Sequence, residues 1–323
     1  MTMSGIIPSA VLARYSPALT GLRWSSASGG FSGAAVLRGD DAAAVPVFAL
    51  KAWPAETTRE RLKTIHTWMA QAAHLAFVPA VLHTADGDTV VTHSEQLWDA
   101  TRWMPGVPLA NPSVAEVEAA CVAVAHLHRA WPVERIGVCP GVLNRLRLLS
   151  DFRTRLAGER NLRSPGSESL NLLMRRAWSI VAGKLDWAEQ LLRPWEEVRV
   201  PLQPCVRDLR AEHALFSQGK VSGIVDYGAM AIDHPAVDLA RLLGDLGVAT
   251  DVSRSAALRA YRNVTSLDVP DNFVRILEQT GDVCSAVNWL IRLLPERRTS
   301  IDEAAVLSRL SGLLDRIERF APK

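Results

Sequence analysis

Two aspartates lie 18 positions apart in the sequence, and the residue types around them are those of a group-transfer site. Asp208 is followed two positions later by Arg210 and five positions later by His213, whereas Asp226 precedes an aromatic residue and a glycine. Each aspartate stands where a strand-like run gives way to a loop. Phosphoryl transfer from a nucleotide needs such a set, because one carboxylate orients the acceptor hydroxyl, a cation steadies the phosphate and a second carboxylate holds Mg²⁺.

The elements that would position these residues are read from the apolar pattern. Short apolar runs over 34–38 and 45–51 predict two strands separated by a Gly-Asp-Asp turn, and the second strand ends in Lys51. Apolar residues on one face predict a helix over 55–76, and a further strand-like segment covers 97–104. Helical periodicity then dominates, with amphipathic segments predicted over the ranges 114–131, 170–192 and 301–320. One β-like region interrupts them over 198–216 and 221–225.

The basic residues are divided unevenly. Only five of the 36 Lys and Arg residues are lysines, and the net charge of the chain is +2. A near-neutral chain argues against a nucleic-acid-binding protein, which would need a concentrated basic face. The scarcity of lysine singles out Lys51, since a compact ammonium at the end of an apolar strand is not interchangeable with the guanidinium that the chain otherwise prefers.

Several classes of protein are excluded by what the sequence lacks. It has no G-x-x-x-x-G-K-[ST], G-x-G-x-x-G, G-x-S-x-G or H-E-x-x-H motif. The four cysteines are scattered and form no CxxC pair, so we expect reduced thiols. No apolar stretch approaches the length of a membrane span, and the N-terminal segment is a poor signal peptide. We therefore expect a cytoplasmic protein with no membrane partner.

The motifs themselves carry a family resemblance. The runs 207–210 and 226–228 resemble the catalytic loop and metal-binding motif of protein-kinase-like folds. The run 233–243 resembles the D-P-A-x-D-L-A segment of the aminoglycoside phosphotransferase and choline kinase family, and 125–128 resembles the L-H that ends the first large helix of its C-lobe. The resemblance implies a two-lobed α+β protein-kinase-like fold. It places a small β-rich N-lobe over 1–104 and a larger, mostly helical C-lobe over 105–323, with the nucleotide in the cleft.

The resemblance also implies roles for individual residues. Asp208 would be the catalytic base, and Asp226 would ligate Mg²⁺ between the nucleotide phosphates. Lys51 would pair with the α- and β-phosphates of ATP. A carboxylate on the next helix should orient this lysine, with Glu60 the first candidate and Glu56 the second. The flexible loop over the phosphates would include Ser28, Gly29, Gly30 and Ser32. The hinge whose backbone holds the adenine would be Arg102, Trp103 and Met104. Arg210 would be a cation near the transferring phosphate.

His213 departs from the family pattern. It stands where the family has an asparagine that holds a second Mg²⁺, which makes His213 a candidate metal ligand of a different kind. Mg²⁺ prefers oxygen ligands, and imidazole suits Zn, Mn or Fe better. The side chain could instead bind phosphate when protonated, or take no part in the chemistry. Asp238 is expected to hold the catalytic loop in place.

The function that these observations favour is ATP-dependent phosphorylation of a small-molecule hydroxyl. The alternative is a catalytically impaired pseudokinase that acts by binding a nucleotide or a partner, and His213 is the residue that favours it. A protein kinase is disfavoured because the sequence has no A-P-E-like segment and little room for an activation loop after Asp226. The identity of the acceptor is beyond the sequence, since no motif for it is recognisable.

Overall fold

The structure is a computed structural model, and it describes residues 9–27, 34–158, 166–247, 251–293 and 302–320. The chain divides into two compact units. One unit contains Met1–Trp131 and Arg210–Met230, and the other contains Pro132–Leu209 and Ala231–Lys323. The α+β fold class is confirmed, with a sheet-rich N-terminal region and a helical C-terminal region. The lobe boundary after residue 104 stays a prediction.

Strands and helices are numbered along the chain. The strands are β1 Arg23–Ser26, β2 Ala35–Asp40, β3 Pro46–Ala52, β4 Val91–His93, β5 Gln96–Arg102, β6 Val107–Pro108, β7 Arg135–Val138, β8 Arg199–Cys205, β9 Ala214–Ser217, β10 Lys220–Ile224 and β11 Ala231–Asp233. The α-helices are α1 Ser9–Tyr15, α2 Pro17–Thr20, α3 Arg59–Gln71, α4 Val114–Ala130, α5 Pro140–Gly158, α6 Glu168–Leu192, α7 Ala236–Asp245, α8 Asp251–Arg262, α9 Asp271–Leu293 and α10 Glu303–Arg319.

The first unit contains a five-stranded antiparallel sheet in the order β1-β2-β3-β5-β4. Helices α1 and α2 pack on it through a core that includes Leu12, Leu50 and Trp98. Helix α3 is fastened to the sheet by His66, whose Nε2 lies 2.9 Å from Asp99 Oδ2 on β5. A second sheet has the order β10-β9-β6, and its strand β10 ends shortly before Asp226. The first sheet and α3 therefore fix the backbone on which Lys51 lies.

The second unit is mostly helical. Helix α9 lies at its centre and packs against α5, α6, α7 and α10. A small antiparallel sheet, in the order β11-β8-β7, accompanies these helices. Strand β8 ends just before the segment that carries Asp208, and β11 ends just before α7. Among the helices of the described residues, none is long and apolar enough to cross a membrane.

The structure refines two of the sequence-derived elements. Helix α3 begins at Arg59 rather than at residue 55, because Thr58 adopts an extended backbone and its side chain accepts a hydrogen bond from the Arg61 amide, which is the geometry of an N-cap. The β-like region over 198–216 consists of β8 and β9 with a loop between them. Arg207 has a φ of 68°, and a residue in the left-handed region cannot continue a strand.

Candidate active site

The first unit brings Lys51 and Asp226 into direct contact. Lys51 Nζ lies 2.9 Å from Asp226 Oδ1, although 175 positions separate the two residues in sequence. The same ammonium lies 4.1 Å from the centre of the Trp53 ring, which is within cation–π range. The lysine is thus held by a carboxylate and an aromatic face, and it can meet an anion only where these two leave it exposed.

The backbone at Asp226 is unusual for a residue with a side chain. Asp226 follows β10 and adopts φ 61° and ψ 67°, the left-handed conformation that non-glycine residues rarely occupy. Its carboxylate accepts a hydrogen bond from the Gly228 amide at 3.4 Å. Such conformations persist only where the surroundings enforce them, and they cluster at functional sites.

The groups around Asp226 favour the ionised form of its carboxyl group. Burial, the largest single influence, would raise its pKa, but the charge and hydrogen bond of Lys51, the charge of His213 and the Gly228 amide together lower it by more. The pKa therefore lies below its ordinary value. An ionised carboxylate is a ligand that hard divalent cations take.

His213 lies beside the same carboxylate. It ends a short 3₁₀ turn, Ala211–His213, in which its amide donates to the Arg210 carbonyl at 3.0 Å. Its own carbonyl accepts from the Val225 amide at 2.9 Å, which ties this turn to the segment before Asp226. His213 Nε2 lies 3.8 Å from Asp226 Oδ2. The two candidate metal ligands thus share one location within the first unit.

Lys51 is paired with a carboxylate other than the two glutamates that the resemblance implied. Glu60 and Glu56 are exposed, and the structure pairs Lys51 with Asp226 instead. Helix α3 contacts the loop after Asp226 through Arg61, the residue that follows Glu60. Arg61 Nη2 donates to the carbonyls of Gly228 and Met230 at 3.2 and 2.8 Å. An arginine on α3 therefore holds the loop that follows Asp226, and the glutamate role implied by the resemblance stays a prediction.

A close approach fixes the glycine in this loop. A Cβ at Gly228 would lie 3.1 Å from the Trp53 ring, which is tighter than ordinary van der Waals contact. Trp53 therefore contacts both the lysine and the loop beyond Asp226. The sequence offers a signal for it, because side chains two positions apart on an extended segment lie on the same face, and Trp53 is two positions after Lys51.

In the second unit Asp208 contacts a residue that the sequence did not single out. Arg241 Nε on α7 donates to Asp208 Oδ1 at 3.3 Å, and its Nη1 donates to Ser285 Oγ on α9 at 3.4 Å. Arg241 thereby orients the carboxylate from a packed helix. An arginine is so common in this chain that nothing in the sequence marks this one.

Asp238 secures the backbone just before Asp208. Its carboxylate, on α7, accepts hydrogen bonds from the amides of Val206 and Arg207 at 2.7 and 2.5 Å, and the residue is fully buried. Arg207 is the residue with a left-handed backbone in this loop. Asp238 therefore compensates a conformation that costs about 1–2 kcal/mol by itself, in agreement with the role expected for it in the loop.

Removing this acceptor should cost stability. We expect Asp238→Ala to lower the free energy of unfolding by about 3 kcal/mol, because two amides lose their acceptor and each loss costs about 1–3 kcal/mol. Asp238→Asn keeps one acceptor oxygen and should lose less. Urea unfolding followed by circular dichroism measures both, with the exposed Asp268→Ala as the matched control. Equal stability of Asp238→Ala and this control would contradict the role.

The remaining sequence-derived candidates are placed as follows. The amides of Arg102 and Trp103 donate to the carbonyls of Ala80 and Val47 at 2.8 and 3.0 Å, and Met104 is buried. Arg210 is partly buried and precedes the 3₁₀ turn that carries His213. Four further candidates lie outside the described residues: Ser28, Gly29, Gly30 and Ser32.

A strand lysine paired with an aspartate that follows a later strand, in a mixed α+β chain, is typical of the protein-kinase-like class. The sequence profile of the Phosphotransferase enzyme family (APH) matches residues 23–271. The chain belongs to this family. Among curated proteins, none matches the chain.

Solved structures share the fold. A spectinomycin phosphotransferase in complex with ADP and spectinomycin has a TM-score of 0.69 at 11% identity, with 99% of this chain and 96% of that chain covered. An amicoumacin kinase in complex with AMP-PNP, Ca²⁺ and Ami has a TM-score of 0.61 at 15% identity, with 96% of each chain covered. An ethanolamine kinase of Plasmodium vivax has a TM-score of 0.57 at 11% identity, covering 97% and 85%. At these identities the likeness shows the fold.

Proposed function

We propose that this protein is an ATP-dependent phosphotransferase that phosphorylates a hydroxyl group of a small molecule. The observation that carries the proposal is the contact between Lys51 Nζ and Asp226 Oδ1 at 2.9 Å. It joins a cation suited to nucleotide phosphates and a carboxylate suited to a divalent ion. Family membership supports the same reaction class, and the fold is shared with enzymes whose solved complexes contain ADP or AMP-PNP.

The donor set fits a divalent cation. Lys51 occupies Oδ1 of Asp226, while Oδ2 faces His213, so one carboxylate oxygen and one imidazole nitrogen would hold the ion. A divalent ion bound there with the nucleotide would neutralise charge on the phosphates. The assignment of both residues as ligands rests on their chemistry and on this proximity.

The chain's own residues then perform binding and positioning. Lys51 binds the α- and β-phosphates, and the backbone of the hinge 102–104 holds the adenine. Arg210 supplies a second cation for the transferring phosphate. Asp208, oriented by Arg241, accepts the proton of the acceptor hydroxyl at a carboxylate oxygen while the hydroxyl oxygen attacks the γ-phosphorus of ATP and ADP leaves.

The first test concerns the wild-type protein. We expect calorimetry to detect binding of Mg·ATP, and a panel of hydroxylated small molecules to reveal acceptor-dependent release of ADP. If the protein neither binds Mg·ATP nor turns it over, the proposed function fails. Binding without turnover of any acceptor would favour the second candidate, a nucleotide-binding protein without catalysis, which the imidazole of His213 near Asp226 favours.

A substitution of Lys51 by arginine tests whether the ammonium group itself is needed, because arginine is the basic residue that this chain otherwise prefers. We expect Lys51→Arg to lower kcat/KM for ATP by at least about tenfold, since a planar guanidinium cannot replace the compact ammonium between Asp226 and the Trp53 ring. Steady-state kinetics with varied ATP measures the effect. Lys63→Arg is the matched control, because Lys63 is exposed. Equal kinetics for the two variants would contradict the assignment.

A further inference from the structure

The two carboxylate oxygens of Asp226 have different surroundings. Oδ1 accepts from Lys51 Nζ at 2.9 Å and from the Gly228 amide at 3.4 Å. Oδ2 instead faces His213 Nε2 at 3.8 Å. The His213 side chain is only 13% exposed, so its ring is confined beside this oxygen. A carboxylate oxygen and an imidazole nitrogen, which are both atoms that bind metal ions in proteins, therefore face each other.

The separation of these two atoms suits a shared ion. At 3.8 Å they are too far apart for a hydrogen bond. Two ligands of one ion can be separated by at most twice the metal–ligand distance, which is about 4.2 Å for nitrogen and oxygen ligands of first-row ions. The observed distance falls between these two limits, so a single ion can be bound by both atoms after only small movements.

The backbone holds the two ligands in this arrangement. The Val225 amide donates to the His213 carbonyl at 2.9 Å, so the residue before Asp226 is bonded directly to the residue that carries the imidazole. The left-handed conformation of Asp226 and the 3₁₀ turn that ends at His213 set the two side-chain directions. Both ligands are therefore pre-organised by local structure.

A mixed nitrogen and oxygen donor set has consequences for the choice of ion. Mg²⁺ takes oxygen ligands almost exclusively and loses its water reluctantly, whereas imidazole is a good ligand for first-row transition ions. Glu212 Oε1 lies 3.8 Å from the same imidazole nitrogen and adds negative charge nearby. We propose that His213 Nε2 is a metal ligand and that it makes this site select a divalent first-row transition ion over Mg²⁺.

This inference rests on the proposed function, because the nucleotide phosphates would complete the coordination of the ion. It goes beyond that function by assigning the ion class and the residue that selects it. The protein would then catalyse the same reaction with a first-row transition ion in preference to Mg²⁺, and the His213 side chain alone would determine this preference. Replacing His213 with a residue that offers an amide oxygen should move the preference toward Mg²⁺.

The test uses the full-length protein with Mn²⁺ and AMP-PNP, a nucleotide that is not turned over. Pulsed electron paramagnetic resonance of bound Mn²⁺ should show nitrogen modulation from an imidazole, and the modulation frequency should change when histidine alone is labelled with ¹⁵N. His213→Asn should abolish this histidine signal. The exposed His74→Asn is the matched control and should retain it.

A binding measurement supplies the second readout. With AMP-PNP present, the ratio of the Mg²⁺ dissociation constant to the Mn²⁺ dissociation constant should fall at least about tenfold in His213→Asn relative to wild type. If Mn²⁺ binds with AMP-PNP but shows no histidine modulation, or if the ratio is unchanged, the inference is overturned and the proposed function stands. If neither ion binds with the nucleotide, both fail.

Discussion

Asp208→Asn is expected to lower kcat for phosphoryl transfer by about 10²–10⁴-fold while leaving the dissociation constant of Mg·ATP within about twofold of wild type. The amide keeps the size of the side chain but cannot accept the proton of the acceptor hydroxyl. Because Arg241 holds the carboxylate from α7, the loss should reflect proton transfer and acceptor positioning rather than misfolding. Stopped-time assays of ADP release and calorimetry measure the two quantities separately.

Arg241→Met provides a graded comparison with this variant. It removes the donor at 3.3 Å from Asp208 Oδ1 but leaves the carboxylate itself in place. We therefore treat Arg241 as a positioning residue whose loss lowers kcat less than Asp208→Asn does, with no change in the KM for ATP. Asp268→Asn, at an exposed position, controls for the removal of one negative charge. If Asp208→Asn keeps the wild-type kcat, Asp208 is not the catalytic base.

Asp226→Asn should have the second large effect, and on a different quantity. We expect metal-dependent binding of ATP to weaken by at least about 100-fold, because a neutral amide is a poor ligand for a divalent ion and Lys51 loses its charged partner. The lowered pKa of Asp226 means that the wild-type carboxylate stays ionised at and above its ordinary pKa, so wild-type binding should not weaken through this group near neutral pH.

Calorimetry with ATP at saturating and at zero divalent ion measures the metal-dependent part of this binding. Glu60→Gln is the matched control, because it also removes one carboxylate near the same elements, and Glu60 is exposed in the structure. We expect its ATP affinity and kcat/KM to match wild type. A loss in Glu60→Gln as large as that in Asp226→Asn would show that α3 supplies the partner of Lys51 after all.

Much of the site could be predicted from sequence because its parts are local. The apolar strand that ends in Lys51, the aspartate after β8 and the aspartate after β10 are all marked by short-range patterns of strand, turn and charge. The helical part is likewise marked by periodicity, as in α4, α6 and α10, whose bounds agree with the predicted ranges to within about two residues. The family resemblance then supplied the expected roles.

The contacts between these parts could not be predicted in the same way. The family resemblance implied Glu60, with Glu56 as the second candidate, as the partner of Lys51. The structure pairs Lys51 with Asp226 and uses Arg61, one position along α3, to hold the loop after Asp226. A shift of one position on a helix rotates the side chain by about 100°, so the burial of Leu62, Ile65 and Met69 on one face of α3 decides which residue faces that loop.

The sequence by itself determined which chemical groups this protein has and the order in which its elements present them, because side-chain type, strand and helix periodicity and turn chemistry are properties of short segments. Only the tertiary structure decided which groups meet. It placed an imidazole 3.8 Å from the Asp226 carboxylate, an arginine on Asp208 and a tryptophan under Lys51. These contacts depend on how distant segments pack, where a rotation or register change of one residue exchanges one partner for another.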